Sequence, residues 1–387
     1  MRKFISILGS TGSIGLSTLK ILDKKKNYFK PYLFSANKNF NLISKQIKKY
    51  KPLYFFIKDE TIYLKIKKKF KNKNIKIIND IDIKKLKLKS DFTIAAIPGI
   101  AGLSPTIKMI KKSSKMLLAN KESIVCGWEL IKKESLKFKT KLIPIDSEHF
   151  SIFKLLENIK LDQVNKIFLT ASGGPFLNFE IKQLKKIKPR QALKHPKWKM
   201  GKKITVDSAT LMNKALEYVE AQKLFNLPEK KLDILIHPES LVHAIVKFKN
   251  GLTKFIYHDT SMIIPLANAL FEKKLEIKSF LKDDKKIGNL TFKFPSKKNY
   301  PIIKNLNKFN ELPSTPIIVN ASNEVLVDLF LRKKVPFLGI PIIIDKILRD
   351  RNYRKYAIKR PKDLEQINKI NSWAKIKTLE KIESTYG

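Results

Sequence analysis

Apolar positions in the first third of the chain fall into short runs separated by amphipathic stretches. The runs Phe4–Leu8, Tyr32–Ala36, Leu53–Ile57, Ile75–Ile78, Phe92–Ile97, Met116–Ala119 and Leu142–Ile145 read as strands. Leu16–Leu22 and Leu42–Tyr50, lying between them, carry helical spacing. Alternation of this kind predicts a parallel, doubly wound sheet with ligands at the carboxyl ends of its strands. The middle third differs. Its apolar runs are Val164–Thr170, Leu232–Ile236, Leu241–Phe248 and Leu252–Tyr257, and Lys249-Asn250-Gly251 joins the last two as a hairpin. The long polar stretch from Ser172 to Lys202 reads as a lid. A Lys-rich connector with Pro295, Pro301, Pro313 and Pro316 leads to helical patterns at Ile317–Leu331, Ile340–Leu348 and Leu364–Ile382. There is no internal repeat.

The chain has 387 residues and a formal net charge of +46. That length accommodates two or three domains. The charge raises a nucleic-acid reading, but only 7 of the 80 basic residues are Arg, and the Lys residues spread over the whole chain. Solvated faces in a chain from an A+T-rich genome explain this better, and no specific nucleic-acid partner is expected. No apolar run approaches the ~18 residues of a membrane span. The N-terminal apolar patch breaks at Gly9, so it reads as a first strand and not a leader. Cys126 is the only cysteine, which excludes an intrachain disulfide and a Cys-based metal site. A reducing cytoplasm is the expected compartment.

Gly9-Ser10-Thr11-Gly12-Ser13-Ile14-Gly15 follows the first strand. A glycine turn that opens a helix suits a dinucleotide pyrophosphate. NAD-specific folds place an acid at the end of the second strand. Here stand Asn37-Lys38-Asn39, with no acid and a Lys able to meet a 2′-phosphate, so NADP(H) is expected.

Pro144-Ile145-Asp146-Ser147-Glu148-His149 follows another strand. Extended backbone would point Asp146 and Glu148 to one side and His149 to the other. Two carboxylates together call for a cation, and oxygen-only ligation suits Mg²⁺ or Mn²⁺. On spacing alone, a helix cap for Ser151–Leu156 is as good a reading. The stretch Asp207–Tyr218 reads as a capped helix start, with Asn213, Lys214 and Glu217 on one face. A surface Lys–Glu pair is the commoner origin of that spacing. Ser172-Gly173-Gly174-Pro175, Ser208, Asn213 and Lys214 offer donors for a phosphate monoester, although Ser-Gly-Gly-Pro is also an ordinary turn.

Taken in order, the glycine motif at 9–15, Leu-Ala-Asn-Lys-Glu-Ser at 118–123, Asp-Ser-Glu-His at 146–149 and Ser-Gly-Gly-Pro-Phe at 172–176 form one series. It continues with His-Pro-Lys-Trp-Lys-Met-Gly at 195–201, Asp-Ser-Ala-Thr-Leu-Met-Asn-Lys at 207–214, Glu217 and His-Pro-Glu-Ser at 237–240. The series resembles the 1-deoxy-D-xylulose 5-phosphate reductoisomerase family over nearly the whole chain. The resemblance implies an α/β fold class: an N-terminal Rossmann-type doubly wound sheet (1–146), a central α+β catalytic and dimerisation domain (147–272) with its lid at 172–202, a linker (273–300) and a C-terminal helical domain (301–387). It implies NADPH-dependent conversion of the phosphorylated sugar to 2-C-methyl-D-erythritol 4-phosphate, with Mg²⁺ or Mn²⁺ (Co²⁺ a third option), in a homodimer. Asp146, Glu148 and Glu217 match the family's metal ligands, and with Lys121 they are the expected catalytic set. Lys121, Ser147, Glu148, Ser172, His195, Ser208, Asn213, Lys214 and Glu217 match substrate contacts, and Trp198 and Met200 lie on the matching lid. Thr11, Gly12, Ser13, Ile14, Asn37, Lys38, Asn39, Asn120, Glu122 and Gly201 match cofactor positions. Asn37, Pro98 and the Arg-free segment Ser261–Pro265 depart from the usual pattern.

The rival reading is another NADPH-dependent reductase of a phosphorylated or aldehyde substrate. A semialdehyde dehydrogenase would need Cys126 as nucleophile. A short-chain dehydrogenase would need Tyr-x-x-x-Lys, and the matches at Tyr54, Tyr63 and Tyr300 are what a Lys-rich chain produces by chance.

Overall fold

The computed structural model describes residues 2–198, 200–271, 275–277, 280 and 288–387. The expected linker at 273–300 therefore lies partly outside the described residues, as does Lys199 of the expected lid. The strands are β1 (Lys3–Leu8), β2 (Phe29–Ala36), β3 (Tyr54–Ile57), β4 (Lys76–Ile78), β5 (Ser90–Ala95), β6 (Ser113–Leu118), β7 (Lys141–Pro144), β8 (Val164–Ala171), β9 (Leu232–Ile236), β10 (Val242–Phe248) and β11 (Thr253–Tyr257). The helices are α1 (Ser13–Lys24), α2 (Phe40–Tyr50), α3 (Glu60–Lys69), α4 (Leu103–Ile110), α5 (Lys121–Phe138), α6 (Ser147–Leu155), α7 (Ile181–Leu184), α8 (Pro189–Ala192), α9 (Lys202–Ala209), α10 (Met212–Phe225), α11 (Ile263–Phe271), α12 (Thr315–Leu331), α13 (Gly339–Leu348), α14 (Tyr353–Ala357) and α15 (Leu364–Tyr386). The chain divides into two compact units. One comprises Met1–Ser123, Trp128–Phe150 and Ser261–Lys286; the other comprises Ile124–Gly127, Ser151–Thr260 and Ile287–Gly387.

In the first unit, seven parallel strands run in the order β4-β3-β2-β1-β5-β6-β7. The order reverses direction between β1 and β5, which opens the crevice where doubly wound folds take their ligand. Ile5, Ile7, Phe34, Phe55, Ile94 and Leu117 are fully buried, as expected of strands covered on both faces. Helix α11 is distant in sequence but belongs to this unit. Its Phe271 ring lies 5.5 Å from Phe29 and 5.0 Å from Tyr28, centroid to centroid.

The second unit holds a four-stranded sheet, β11-β10-β8-β9. Strand β8 pairs antiparallel with β10 and parallel with β9. The expected hairpin joins β10 and β11, and Gly251 takes the left-handed backbone (φ 89°) that the turn requires. The rest of the unit is helical and includes the C-terminal region. A ten-residue 3₁₀ run, Pro301–Asn310, precedes α12 where the sequence reads as part of a connector; its apolar residues Ile302, Ile303, Leu306 and Phe309 are helically spaced, but the stretch is short and set among lysines and prolines.

Candidate active site

The turn after β1 is shaped by close backbone approach. Gly9 has φ 85°, and a Cβ there would meet the Ala96 carbonyl oxygen at 2.6 Å. A Cβ on Gly15 would meet the Gly9 carbonyl oxygen at 2.4 Å. The turn is fastened from below. The Gly9 N–H donates to Ser35 Oγ (2.8 Å), and buried Ser10 Oγ donates to Gln46 Oε1 (2.6 Å). Gly12 and Ser13 remain exposed at the start of α1, with Gly12 as its N-cap. Side chains at 9 and 15 would collide with this backbone and spread the turn, whose helix N-terminus fits a pyrophosphate. Asn37, Lys38 and Asn39 are exposed at the end of β2, and Asn39 Oδ1 accepts from the Leu42 N–H to cap α2.

Asn120 is a structural clasp. Its Oδ1 accepts from the Ser123 N–H (2.6 Å) and caps α5, while its Nδ2 donates to the carbonyls of Ile97 and Gly99. This ties the end of β6 to the loop after β5, across the crevice from the glycine turn. Lys121 and Glu122 follow in the first turn of α5, and both are buried.

The acidic motif after β7 departs from the extended conformation expected of it. Ser147 opens helix α6, and Asp146 Oδ1 accepts from the Glu148 N–H at 3.3 Å. A carboxylate at this position satisfies an otherwise orphaned helix donor, so Asp146 does serve as a cap, but of a helix that begins at Ser147 and not at the expected Ser151; this does not compete with ligation by the other oxygen. The helix also brings His149 to the side of Asp146, with Nδ1 at 3.5 Å from Oδ1, where strand geometry would have turned it away. Lys121 Nζ stands 3.4 Å from Asp146 Oδ2. Burial raises the Asp146 carboxyl and Glu148 opposes its ionisation, but Lys121 and His149 outweigh them and hold it below the usual carboxylate range. Ser147 Oγ donates to Glu148 Oε2 at 2.6 Å.

In the second unit, Ser172 closes β8. Its Oγ accepts from the Gly174 N–H (3.1 Å) and lies 3.0 Å from His195 Nε2. His195 Nδ1 accepts from the backbone N–H groups of Lys197 and Trp198, so the neutral ring carries its proton on Nε2 and donates to Ser172. Burial lowers the His195 pKa, favouring that neutral form. Trp198 packs edge-on to His243, 6.0 Å between centroids, and His243 stacks on His258.

Gly174 packs on the end of α9, where a Cβ would meet the Ser208 carbonyl oxygen at 3.0 Å. The Ser172 turn and Ser208 are therefore neighbours. Asp207 is not the cap expected for a helix start: it lies inside α9 and is buried. It binds Lys203 Nζ (2.8 Å) and accepts from Asn323 Nδ2 on α12 (2.8 Å). Sequence spacing could not show this, because Asn323 is remote in the chain. Ser208 likewise ends α9; the next helix starts at Met212, after Leu211 makes a left-handed turn (φ 61°). On α10, Asn213 and Lys214 both donate to Glu217, one to each carboxylate oxygen. Lys214 and Glu217 are buried, which excludes the surface-pair reading. Gly201 is the exposed N-cap of α9.

Asp146, Glu148 and Glu217 make up a group of acids able to hold a metal ion. An all-oxygen donor set fits a hard divalent cation such as Mg²⁺.

Comparisons with known proteins agree with this chemistry. Three family models match: 1-deoxy-D-xylulose 5-phosphate reductoisomerase over residues 5–127, its C-terminal domain over 142–225, and the DXP reductoisomerase C-terminal domain over 259–377. The 1-deoxy-D-xylulose 5-phosphate reductoisomerase of Pelagibacter ubique (strain HTCC1062) is 44% identical, over 97% of this chain and 98% of its own. The chain belongs to the 1-deoxy-D-xylulose 5-phosphate reductoisomerase family. The reductoisomerase of Wolbachia from Drosophila simulans (strain wRi) is 42% identical, over 89% of this chain and 90% of its own. Solved reductoisomerases share the architecture. The Zymomonas mobilis enzyme in complex with NADPH matches with a TM-score of 0.89 at 30% identity, covering 99% of this chain and 100% of that one. A reductoisomerase in complex with NADPH, fosmidomycin and magnesium matches with a TM-score of 0.91 at 30% identity, covering 98% of each chain.

Residues that sequence reasoning missed are those that hold the site from behind. They are Ser35 and Gln46 under the glycine turn, Asn323 on Asp207, and Tyr300, whose hydroxyl donates to the Gly173 carbonyl. Only Tyr300 left a trace, as the start of a chance Tyr-x-x-x-Lys match.

Proposed function

We infer that this chain isomerises and reduces 1-deoxy-D-xylulose 5-phosphate to 2-C-methyl-D-erythritol 4-phosphate, in non-mevalonate isoprenoid synthesis. The observation that carries the reading is the metal-capable acid group Asp146, Glu148 and Glu217 in a chain of this family. When bound, the divalent cation supplies Lewis-acid stabilisation of developing oxygen charge, and NADPH supplies the hydride.

The chain's own residues do the rest. Thr11, Gly12, Ser13 and Ile14 present the α1 N-terminus to the pyrophosphate, and Lys38 meets the 2′-phosphate with Asn37 and Asn39 beside it. Asn120 shapes the crevice wall; Glu122 and Gly201 complete the cofactor set. Ser172, Ser208, Asn213 and Lys214 bind the substrate phosphate through hydroxyl, amide and ammonium donors. Lys121, next to Asp146, stabilises negative charge as the carbon–carbon bond breaks and reforms. Ser147 orients Glu148, and His195 joins the lid (172–202) to Ser172. Closure of that lid excludes water from the reacting carbons. In domain terms, residues 1–146 bind NADPH and also lend Lys121 and Asp146 to the chemistry, 147–272 supply Glu148, Glu217 and the substrate contacts although α11 packs in the first unit, and 301–387 form the helical C-terminal region of the second unit.

We place the enzyme in the cytoplasm; among the described residues no helix is long and apolar enough to cross a membrane. It works as a homodimer. Edge strand β11 exposes Phe255, Leu252 is exposed just before it, and Phe294 is exposed where it packs on Phe168 of β8 in the same sheet, apolar side chains suited to a second copy.

NADPH oxidation measured with 1-deoxy-D-xylulose 5-phosphate, after chelation and after addition of Mg²⁺, Mn²⁺ or Co²⁺, tests the proposal. Turnover should vanish with chelator and return with metal. Full turnover without any divalent ion would remove the acids from the mechanism.

A further inference from the structure

The Ser172 turn contains two successive residues in left-handed backbone, Gly173 (φ 81°) and Gly174 (φ 65°). Glycines at both positions leave the peptide between them free to flip at little steric expense. That peptide group has two jobs. Its N–H, on Gly174, donates to Ser172 Oγ at 3.1 Å, and its carbonyl, on Gly173, accepts from Tyr300 Oη at 2.7 Å. In a planar trans peptide the N–H and C=O point in opposite directions. A donor holding the oxygen on one side therefore fixes the direction of the N–H on the other. Tyr300 is 3% exposed, and burial pushes its phenol pKa well up, so it remains a neutral O–H donor at any working pH. Its neighbour Asn299 donates from Nδ2 to the Phe179 carbonyl at 3.2 Å, which anchors the far end of the same loop.

We propose that Tyr300 is a positioning residue for substrate phosphate: its hydroxyl locks the Gly173–Gly174 peptide, and that peptide's N–H aims the Ser172 hydroxyl at the phosphate. The proposal rests on the assignment of Ser172 to phosphate binding. The chain links Tyr300 to the ligand through one peptide plane, and Tyr300 itself touches no reacting atom. Loss of the hydroxyl frees the peptide to rotate and turns Ser172 away, while leaving the glycine cradle of the first unit as it was.

The test uses full-length enzyme with Y300F, S172A and the double variant. Y300F should raise KM for 1-deoxy-D-xylulose 5-phosphate about tenfold, and weaken competitive inhibition by inorganic phosphate by a similar factor. Its kcat should fall less than about threefold, with KM for NADPH unchanged, because the groups at the reacting carbons stay in place. In the S172A background Y300F should add nothing further, since it acts through that hydroxyl. If S172A raises KM and Y300F does not, Tyr300 has no positioning role and the phosphate assignment stands. If S172A leaves KM and phosphate inhibition unchanged, the phosphate assignment itself is wrong and the proposal goes with it. Additive effects in the double variant, or loss of NADPH binding in Y300F, would mark Tyr300 as a general fold contact and overturn the proposal.

Discussion

The glycine turn of the first unit and helix α10 of the second solve binding problems by opposite means. The turn works by absence: glycines at 9 and 15 leave space that a single methyl group would fill, and small hydroxyls from Ser10 and Ser35 tie it down. No charged side chain is needed, because helix N–H groups supply the potential. Helix α10 works by buried charge. Lys214 and Glu217 sit inside the protein with Asn213, each satisfied by a partner. Such a cluster is intolerant of losing one member, since the remaining charge stays desolvated. On the proposed assignments, shape dominates at the glycine turn and buried charge at α10.

Four changes probe that contrast, from the largest effect to the smallest. Glu217→Gln keeps shape and removes charge; kcat should fall by about 10³-fold or more while NADPH affinity, read by fluorescence titration, stays near normal. Wild-type turnover at saturating metal would show that charge at α10 is dispensable. Gly15→Ala does the reverse, adding volume without charge. The added methyl would lie 2.4 Å from the Gly9 carbonyl oxygen, so unfolding stability should drop by roughly 1–3 kcal/mol and KM for NADPH should rise, with KM for substrate little altered. A denaturant titration superimposable on wild type would show that the cradle is looser than drawn.

Acidification sharpens the comparison at the lid. Burial lowers the pKa of His195, and burial likewise lowers that of His237, against the latter's contacts with Thr291 and Glu239. Below pH ~6.5 the unfolded chain binds protons that the folded chain resists. Stability should therefore fall as pH drops below ~6.5, and His195→Asn should blunt that slope in thermal melts. The smallest effect belongs to Cys126→Ala. The thiol is buried on α5, and the variant should turn over within about twofold of wild type, whereas a thiol-based reductase would be inactive.

Much of the fold was legible because it follows local rules. Period-two and all-apolar runs marked the eleven strands among the described residues to within a few residues at each end, and Gly9, Gly12 and Gly15 announced the turn. The shared face of Asn213, Lys214 and Glu217 followed from helical spacing alone. What the sequence concealed depends on tertiary partners. Asp146 looked extended because its strand neighbours are apolar; the capping bond from the Glu148 N–H starts a helix one residue later. Asp207 looked like a cap because it precedes Ser208 and Thr210; its partner Asn323 lies on another helix, more than a hundred residues on. Tyr300 read as a residue of a connector because the carbonyl it holds, at Gly173, carries no signal in a side-chain alphabet.

The discontinuity of the first unit has a consequence during synthesis. Strands β1 to β7 leave the ribosome early, but helix α11, which packs its Phe271 ring on Tyr28 and Phe29, is made only after the whole of β8 to β11. At roughly 5–20 residues per second, the side of those two rings that Phe271 covers stays open for on the order of 10 s after β7 emerges. The nascent chain must pass that interval with a sticky surface, and the lysines that flank it in sequence, Lys24, Lys25, Lys26 and Lys30, help keep neighbouring nascent chains apart by mutual repulsion.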